Sequence, residues 1–170
     1  MKAVSGVLWV TGMPGSGKST LANAVRETMQ DLGYQPILLD GDSLRDALNL
    51  RKPETYETNG REQIAMSYSR LCQLIANQGF LVICATVSMF HSVRAWNRQN
   101  LAGYFEVFVN TAPDRLYIRD QKGLYSSLQT QNILPEFPMN PDVTLKMHQK
   151  KDIPALANQV VSGWVGVLNR

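Results

Sequence analysis

A glycine-rich stretch near the start of the chain has the residue types and spacing of a phosphate-binding loop. Residues 12–19 read Gly-Met-Pro-Gly-Ser-Gly-Lys-Ser and fit the pattern G-x-x-x-x-G-K-[ST] at every fixed position. Glycines allow the backbone to wrap a phosphate chain, and the amides of the turn and of the next helix then point at the phosphates. The residues predicted to bind the triphosphate are Gly12, Met13, Pro14, Gly15, Ser16, Gly17, Lys18, Ser19 and Thr20.

Two side chains of this stretch carry specific chemistry. Lys18 supplies a cation for the β- and γ-phosphates, and the Ser19 hydroxyl is the expected Mg²⁺ ligand, so ATP and Mg²⁺ are the predicted cofactors. The alternative is a chance glycine turn before a helix. Against that alternative, residues 7–10 read as a buried strand and residues 21–25 open a helix, which is the context that a phosphate-binding loop requires.

Two carboxylates separated by a glycine end the second predicted strand. Asp40 and Asp42 are therefore expected near the phosphate loop, at the carboxyl edge of the sheet. Phosphoryl transfer needs a carboxylate there to accept a hydroxyl proton or to order Mg²⁺. Arg45, one helical turn further on, is suited to bidentate contact with an anionic acceptor. The structural alternative is that Asp42 or Ser43 caps the short helix that follows.

Polar residues also follow the third predicted strand. Thr86 and Ser88 are candidates for contact with the acceptor or the phosphates, and ordinary capping of a strand end is the alternative. His91 is interpreted as the start of a helix rather than as a substrate ligand. Further along, Arg119 and Lys122 are placed to reach the phosphates if the proline-bearing segment 121–141 folds as a lid that excludes water. The alternative is that Arg119 and Lys122 belong to a charged helix end exposed to solvent.

Strand-like and helical patterns alternate along the chain, which predicts a parallel sheet covered by helices on both faces. The predicted strands are residues 7–11, 36–40, 81–85, 105–110 and 143–146. The predicted helices are residues 18–32, 61–77, 93–101, 114–120 and 154–168. A length of 170 residues fits a single domain, residues 1–170, of the α/β class. We expect a three-layer αβα arrangement with a central parallel sheet and a lid at about residues 121–141.

The composition limits the kinds of partner that the protein is expected to bind. The apolar fraction of 44% and the charged fraction of 18% are those of an ordinary globular domain, and the net charge of +3 suits an anionic substrate. We expect no nucleic-acid partner, because there is no dense Lys/Arg cluster, and no membrane partner, because apolar runs are only strand-sized. Cys72 and Cys84 are expected to be buried, reduced thiols. With no signal peptide before the first strand, the predicted location is the cytoplasm.

Together these stretches resemble the adenylylsulfate kinase family over roughly residues 4–146. The matching stretches are residues 12–20, 39–42 with Arg45, 87–88, 105–107 and 119–125, the last reading Arg-Asp-Gln-Lys-Gly-Leu-Tyr. The resemblance implies a P-loop kinase that transfers a phosphoryl group from MgATP to the 3′-hydroxyl of adenosine 5′-phosphosulfate, a nucleotide used in sulfate assimilation. It also implies a small-molecule nucleotide as acceptor, and a homodimer is compatible with it.

The resemblance assigns roles to individual residues. Asp42 is the carboxylate nearest the attacking hydroxyl and Asp40 supports it, so that Lys18, Asp40, Asp42 and Ser88 are the predicted catalytic residues. Ser88 matches a serine often described as a phosphoserine intermediate, but direct in-line transfer needs none, and we interpret it as an acceptor contact. Arg119 and Lys122 are the predicted lid contacts to ATP. The predicted acceptor contacts are Asp42, Arg45, Tyr56, Arg61, Ser88, Lys122, Gly123, Leu124 and Phe137.

The chain departs from the family pattern where the acceptor is recognised. A Gly-Phe-Ser stretch is replaced by Thr-Tyr-Glu at residues 55–57, although Tyr56 retains an aromatic face and Arg61 still matches. The family asparagine falls on Ile64, or on Gln63 if the register slips by one. A Phe-Thr-Gly-Ile-Asp motif in the lid is lost, and Phe137 is interpreted as a substitute for its aromatic residue.

Two alternatives follow from these departures. Residues 84–91 and 96–98 are similar to a divergent branch of kinases that phosphorylate a cytidine diphosphate-linked phosphoramidate in capsule-sugar modification, so the same reaction on that acceptor is the first alternative. The second is a nucleotide-binding regulatory switch. A switch predicts a guanine-specifying Asn-Lys-x-Asp stretch, which this sequence lacks.

Overall fold

One parallel sheet organises the chain. The computed structural model describes residues 4–111, 135–147 and 152–170. Within them, five strands pair in the order β2-β3-β1-β4-β5, and every pairing is parallel. The strands are β1 (Gly6–Gly12), β2 (Ile37–Asp40), β3 (Leu81–Thr86), β4 (Phe105–Val109) and β5 (Val143–Leu145).

Helices connect these strands. The helices are α1 (Lys18–Asp31), α2 (Gly41–Ala47), α3 (Thr58–Ala76), α4 (His91–Asn100) and α5 (Ile153–Leu168), with a 3-10 helix at Pro53–Tyr56. Residues in β1 alternate between the two sheet faces, as the two-residue period of a strand requires. Leu8 and Val10 pack in the cluster that contains α1 and α5, whereas Val7 and Trp9 pack in the cluster that contains α3 and α4. The result is the predicted three-layer αβα arrangement.

The register brings the carboxyl ends of three strands level. Thr11 in β1 is opposite Thr86 in β3, and Asp40, the last residue of β2, is opposite Ala85. Ligands of open parallel sheets gather at this edge. The phosphate loop after β1, the Asp40 turn after β2 and the Ser88 loop after β3 therefore lie side by side.

All five predicted strands are present, and four of the five predicted helices match α1, α3, α4 and α5 with ends shifted by a few residues. The predicted helix 114–120 lies outside the described residues. Cys72 and Cys84 are buried free thiols, as predicted. In the described part of the chain, no helix combines the length and apolar character needed to cross a bilayer.

Candidate active site

The phosphate loop requires glycine at specific points. A Cβ atom added to Gly12 would lie 2.6 Å from the carbonyl oxygen of Val109 and 2.8 Å from the hydroxyl oxygen of Ser16, closer than such atoms approach. Gly17 has a φ of 101°, a left-handed conformation that side chains disfavour. Below the loop, the Thr111 hydroxyl donates to the carbonyl oxygen of Ser16 at 3.0 Å. The loop is therefore held in one shape by the ends of β1 and β4.

The first turn of α1 is open to an anion. Gly17 occupies the N-cap position without a side chain to cap the helix, and the first turn contains no acidic residue. The first amides of a helix lack partners within the helix, and the helix dipole adds positive potential at the same place. Such an N-terminus, preceded by a glycine-rich turn, is suited to bind phosphate.

Lys18 is a buried cation facing this turn. Its side chain is 9% exposed, and its ammonium group donates to the carbonyl oxygen of Met13 at 2.9 Å. Burial lowers the pKa of Lys18 to about 8, and the nearby charges of Asp40 and Asp42 oppose that shift. An anion arriving at the loop would offset the cost of burying this charge, because an opposite charge favours the protonated form.

Asp40 joins the phosphate loop to α2. One carboxylate oxygen accepts from the backbone amides of Asp42 at 3.0 Å and Ser43 at 3.3 Å, so Asp40 is the N-cap of α2. The other oxygen accepts from the Ser19 hydroxyl at 2.5 Å. The structural alternative that Asp42 or Ser43 caps this helix is wrong. The last residue of β2 is itself extended and reaches the first amides, and Asp42 lies in the first turn, exposed.

The same pair of side chains fits a magnesium ion. Mg²⁺ prefers oxygen ligands and is held in kinases by few protein groups, with water and phosphates completing its shell. Ser19 and Asp40 offer a hydroxyl and a carboxylate oxygen on an exposed edge. Within the described ranges there is no group of three or more His, Cys, Asp or Glu residues that could hold a metal by themselves. The donor set therefore suits an ion that arrives with the nucleotide.

Two arginines flank one aromatic ring beyond α2. The guanidinium of Arg45 lies 4.6 Å from the ring centre of Tyr56 and donates to the carbonyl oxygens of Leu50 and Thr55. Arg61 donates from Nε to the carbonyl oxygen of Tyr56 at 2.6 Å, with its guanidinium 5.9 Å from the same ring. Burial, followed by the charge of Arg45, lowers the pKa of Arg61. Two like charges held this close form a site that an anion would stabilise.

Ser88 lies at the same sheet edge, on the loop after β3. Its side chain is 5% exposed, and its hydroxyl has no hydrogen-bond partner among the described residues. The Thr11 hydroxyl donates to the carbonyl oxygen of Val87 at 2.9 Å, which ties this loop to β1. Buried hydroxyls are normally hydrogen-bonded, so an unpaired one at a sheet edge marks a position for a ligand or water. His91 begins α4, as predicted.

Phe137, a predicted contact, and Ile64, a position where the chain departs from the family pattern, can also be located. Phe137 is 50% exposed, and its ring lies edge-on to Phe108 with 5.9 Å between ring centres. Ile64, at the expected asparagine position, is buried in the core and has no polar atom to offer. The predicted contacts Arg119, Lys122, Gly123 and Leu124 lie outside the described residues. The structure thus brings the phosphate loop, Asp40 and the Ser88 loop to one sheet edge, and it joins Tyr56 and Arg61 to Arg45 of α2.

Sequence reasoning missed two residues that support this edge. The hydroxyl of Tyr68 in α3 donates to the carbonyl oxygen of Gly41 at 3.3 Å, beneath the Asp40 turn, and burial raises its pKa to about 12. The guanidinium of Arg94 in α4 donates to the carbonyl oxygen of Ser88 at 3.3 Å. Both act on backbone carbonyls, which have no signature in a sequence. In the sequence, Tyr68 cannot be told from the other apolar residues that form the buried face of α3.

Comparison with known proteins agrees with this geometry. The family model described as adenylylsulphate kinase matches residues 4–146. The cytidine diphosphoramidate kinase of Campylobacter jejuni serotype O:2 is 35% identical over 127 residues, covering 75% of this chain and 73% of that protein. The adenylyl-sulfate kinase of Burkholderia ambifaria is 36% identical over 151 residues, 82% of each. A solved Mycobacterium tuberculosis APS kinase, CysC with AMPPNP and APS, superposes with a TM-score of 0.78 at 28% identity, covering 98% of this chain and 99% of that one.

The parallel sheet, the phosphate loop and these similarities define an ATP-dependent phosphotransferase with the P-loop kinase fold. The length of the match to the family model establishes the family of this chain. The chain belongs to the adenylylsulfate kinase family, and it is a nucleotide kinase.

Proposed function

We propose that this protein transfers the γ-phosphoryl group of MgATP to the 3′-hydroxyl of adenosine 5′-phosphosulfate. The bond from the γ-phosphorus to the acceptor 3′-oxygen forms as the bond to the β–γ bridging oxygen breaks. The acceptor proton passes to a carboxylate, and ADP is the leaving group. The observation that carries the proposal is the Ser19–Asp40 hydrogen bond, because it joins the triphosphate loop to the helix that presents Asp42 and Arg45.

On the donor side, the loop from Gly12 to Thr20 holds the phosphates. The backbone amides of the loop and of the open first turn of α1 donate hydrogen bonds to the phosphates. Lys18 adds a buried cation, whose attraction to the phosphates is stronger because water does not screen it. Ser19, with Asp40 beside it, would hold Mg²⁺, which when bound neutralises charge on the β- and γ-phosphates.

On the acceptor side, Asp42 orients or deprotonates the attacking hydroxyl. Asp42 is exposed in the first turn of α2 and lies close enough to Lys18 to raise that residue's pKa, so it faces the phosphate loop. Arg45 and Arg61 hold the anionic tail of the acceptor, since their mutual repulsion is relieved by an anion. Ser88 donates to the acceptor from its unpaired hydroxyl.

Aromatic residues and the lid complete the proposed site. Tyr56 supports Arg45 on one face of its ring and offers stacking area to the acceptor, and Phe137 is proposed to do the same from the end of the lid. Arg119 and Lys122 are proposed to contact ATP, and Lys122, Gly123 and Leu124 to contact the acceptor. These four belong to the proposal from the sequence resemblance, since they lie outside the described residues.

A cytidine diphosphate-linked acceptor is the second candidate. The relative from Campylobacter is a cytidine diphosphoramidate kinase, and it shares 35% of its residues with this chain over most of both lengths. If the family asparagine falls on Ile64 rather than on Gln63, the same candidate is favoured, because Ile64 is buried and has no amide to offer a base. Loss of a buried hydrogen bond to a base is able to change discrimination by several orders of magnitude.

The test compares kcat/KM for adenosine 5′-phosphosulfate and for cytidine diphosphoramidate in the same ATP-dependent assay. The proposal expects a clear preference for the adenosine compound. Preference for the cytidine compound would replace the acceptor while leaving the reaction unchanged. Transfer to neither, with hydrolysis of ATP unaffected by either, would contradict both and favour a nucleotide-binding switch.

Binding of ATP is expected to take up protons in mildly alkaline solution. The pKa of Lys18 is about 8 in the free protein, so this side chain is largely neutral above that pH, whereas the bound phosphates favour its charged form. The affinity for ATP should therefore fall as the pH rises through 8. At pH 8.5 each ATP bound should take up about half a proton or more. Calorimetric titration in two buffers of different ionisation enthalpy measures this number.

The control for proton uptake is Lys18→Arg, which keeps the positive charge but does not titrate in this range. Any ATP binding that remains in Lys18→Arg should show no proton uptake at pH 8.5. Equal binding enthalpies in the two buffers for the unmodified protein would contradict the assignment of the buried lysine to the phosphates.

A further inference from the structure

The loop that carries Ser88 is tied down at each of its backbone carbonyls. The Thr11 hydroxyl donates to the carbonyl oxygen of Val87 at 2.9 Å, Arg94 Nη1 donates to that of Ser88 at 3.3 Å, and the backbone amide of Glu136 donates to that of Met89 at 3.0 Å. These donors come from β1, from α4 and from the segment before β5. Three separate elements thus fix the backbone around one hydroxyl that itself has no partner among the described residues.

Arg94 is the centre of this arrangement. Its side chain is 5% exposed, although arginine is rarely buried without a paired carboxylate. Besides the Ser88 carbonyl, its guanidinium donates to the carbonyl oxygen of Glu136 at 2.5 Å and to Nδ1 of His91 at 2.8 Å. Arginine has no acceptor atom, so His91 must accept at Nδ1. Burial lowers the pKa of Arg94, and the charges of Glu106 and Glu136 oppose that shift.

Glu136 makes a further contact between the segment before β5 and α4. Its carboxylate accepts from the backbone amide of His91 and so caps the first turn of α4, which has no side-chain cap of its own at Phe90. A carboxylate at a helix N-terminus satisfies an open amide and complements the helix dipole. Residue 136 is therefore bonded to Met89 of the loop through its amide, and to α4 through its carbonyl and its side chain.

We propose that Arg94 is a positioning residue that clamps Glu136 to the loop at residues 87–90 and thereby directs the Ser88 hydroxyl at the acceptor. A buried charge that bonds two backbone carbonyls from distant parts of the chain holds those two segments in one relative geometry. The acceptor role of Ser88 rests on the proposed function. The clamp itself does not depend on which nucleotide is the acceptor.

A double-mutant cycle tests whether Arg94 acts through Ser88. Ser88→Ala and Arg94→Gln should each raise KM for the preferred acceptor, adenosine 5′-phosphosulfate or cytidine diphosphoramidate, by about fivefold to tenfold. The acceptor KM of the double variant should be no higher than that of Arg94→Gln alone, because a hydroxyl already displaced by Arg94→Gln makes no acceptor contact for Ser88→Ala to remove. KM for ATP should stay within about twofold, and Arg94→Lys should recover part of the loss. Multiplying effects in the double variant, or an equal rise in KM for ATP, would overturn the proposal.

Arg98→Gln is the matched control, since Arg98 lies one turn further along α4 and pairs with Asp142 rather than with the Ser88 loop. Its acceptor KM should be unchanged. Amide hydrogen exchange then tests the clamp without any acceptor: Arg94→Gln should speed exchange at His91 and Glu136 by about tenfold or more, with β1 unaffected. Unchanged exchange at both amides would refute the clamp. Failure of the unmodified protein to use either acceptor would instead refute the proposed function.

Discussion

Lys18→Ala is expected to lower the rate of phosphoryl transfer by about two to three orders of magnitude. Lys18 is buried and its ammonium group donates to the carbonyl oxygen of Met13 in the phosphate loop, where solvent screens its charge poorly. Charge shifts toward the β–γ bridging oxygen in the transition state, and no other described cation lies inside the loop from Gly12 to Thr20. Single-turnover assays with saturating acceptor measure the loss.

Arg26→Ala is the control for that experiment, because it removes a positive charge from the same helix two turns away. It should leave the rate within about twofold. The fold should survive Lys18→Ala, since the change removes a buried charge and leaves the packing of β1 and α1 intact, and circular dichroism checks this. A folded Lys18→Ala protein with near-normal turnover would be incompatible with phosphate binding at this loop.

Asp42→Asn is expected to reduce turnover by about a hundredfold or more, the usual loss when a general base is removed. Affinity for ATP should change much less. The geometry sharpens this expectation, because the N-cap of α2 is Asp40, so replacing Asp42 leaves the capping side chain in place. The loss of a favourable charge in the first turn costs about 0.3–1 kcal/mol of stability.

Asp46→Asn is the matched control, because Asp46 lies one turn further along α2 and pairs with the exposed Arg51. It should lower activity little. If Asp42→Asn lowers the melting temperature but keeps full specific activity, Asp42 has a structural role alone and the base must be sought elsewhere.

Much of the fold was predictable because the long elements have clear periodicity. The strand β1 and the helix α1 flank a loop whose pattern is specific, and the apolar runs of β3 and β4 are bounded by polar residues. The contents of residues 41–56 were not predictable in the same way. The helix α2 has seven residues, too few for an apolar period to repeat, and a 3-10 turn has none.

The candidate site also has a part that the sequence reveals and a part that it does not. Its charged residues could be named from the sequence, since Lys18, Asp40 and Arg45 have chemistry that a buried core rarely uses. Their supports could not be named. The bonds of Arg94 and Tyr68 run to carbonyl oxygens, which every residue has, so that only folding selects the partner. The dual use of Asp40 was hidden for a related reason, because it accepts from backbone amides, which nearly every residue has, and from the Ser19 hydroxyl, which only folding brings close.

The side chains of Arg45 in α2 and Arg61 in α3 are held almost entirely by residues close to them in the sequence. Among the described residues, the side-chain hydrogen bonds of Arg45 and Arg61 reach residues five or ten positions away, and all of these partners fall between Arg45 and Arg61. By contrast, the triphosphate loop is braced by Val109 and Thr111, far along the chain. The two arginines proposed to hold the anionic tail of the acceptor are thus organised within residues 45–61, so this stretch can be replaced without removing the contacts that brace the phosphate loop.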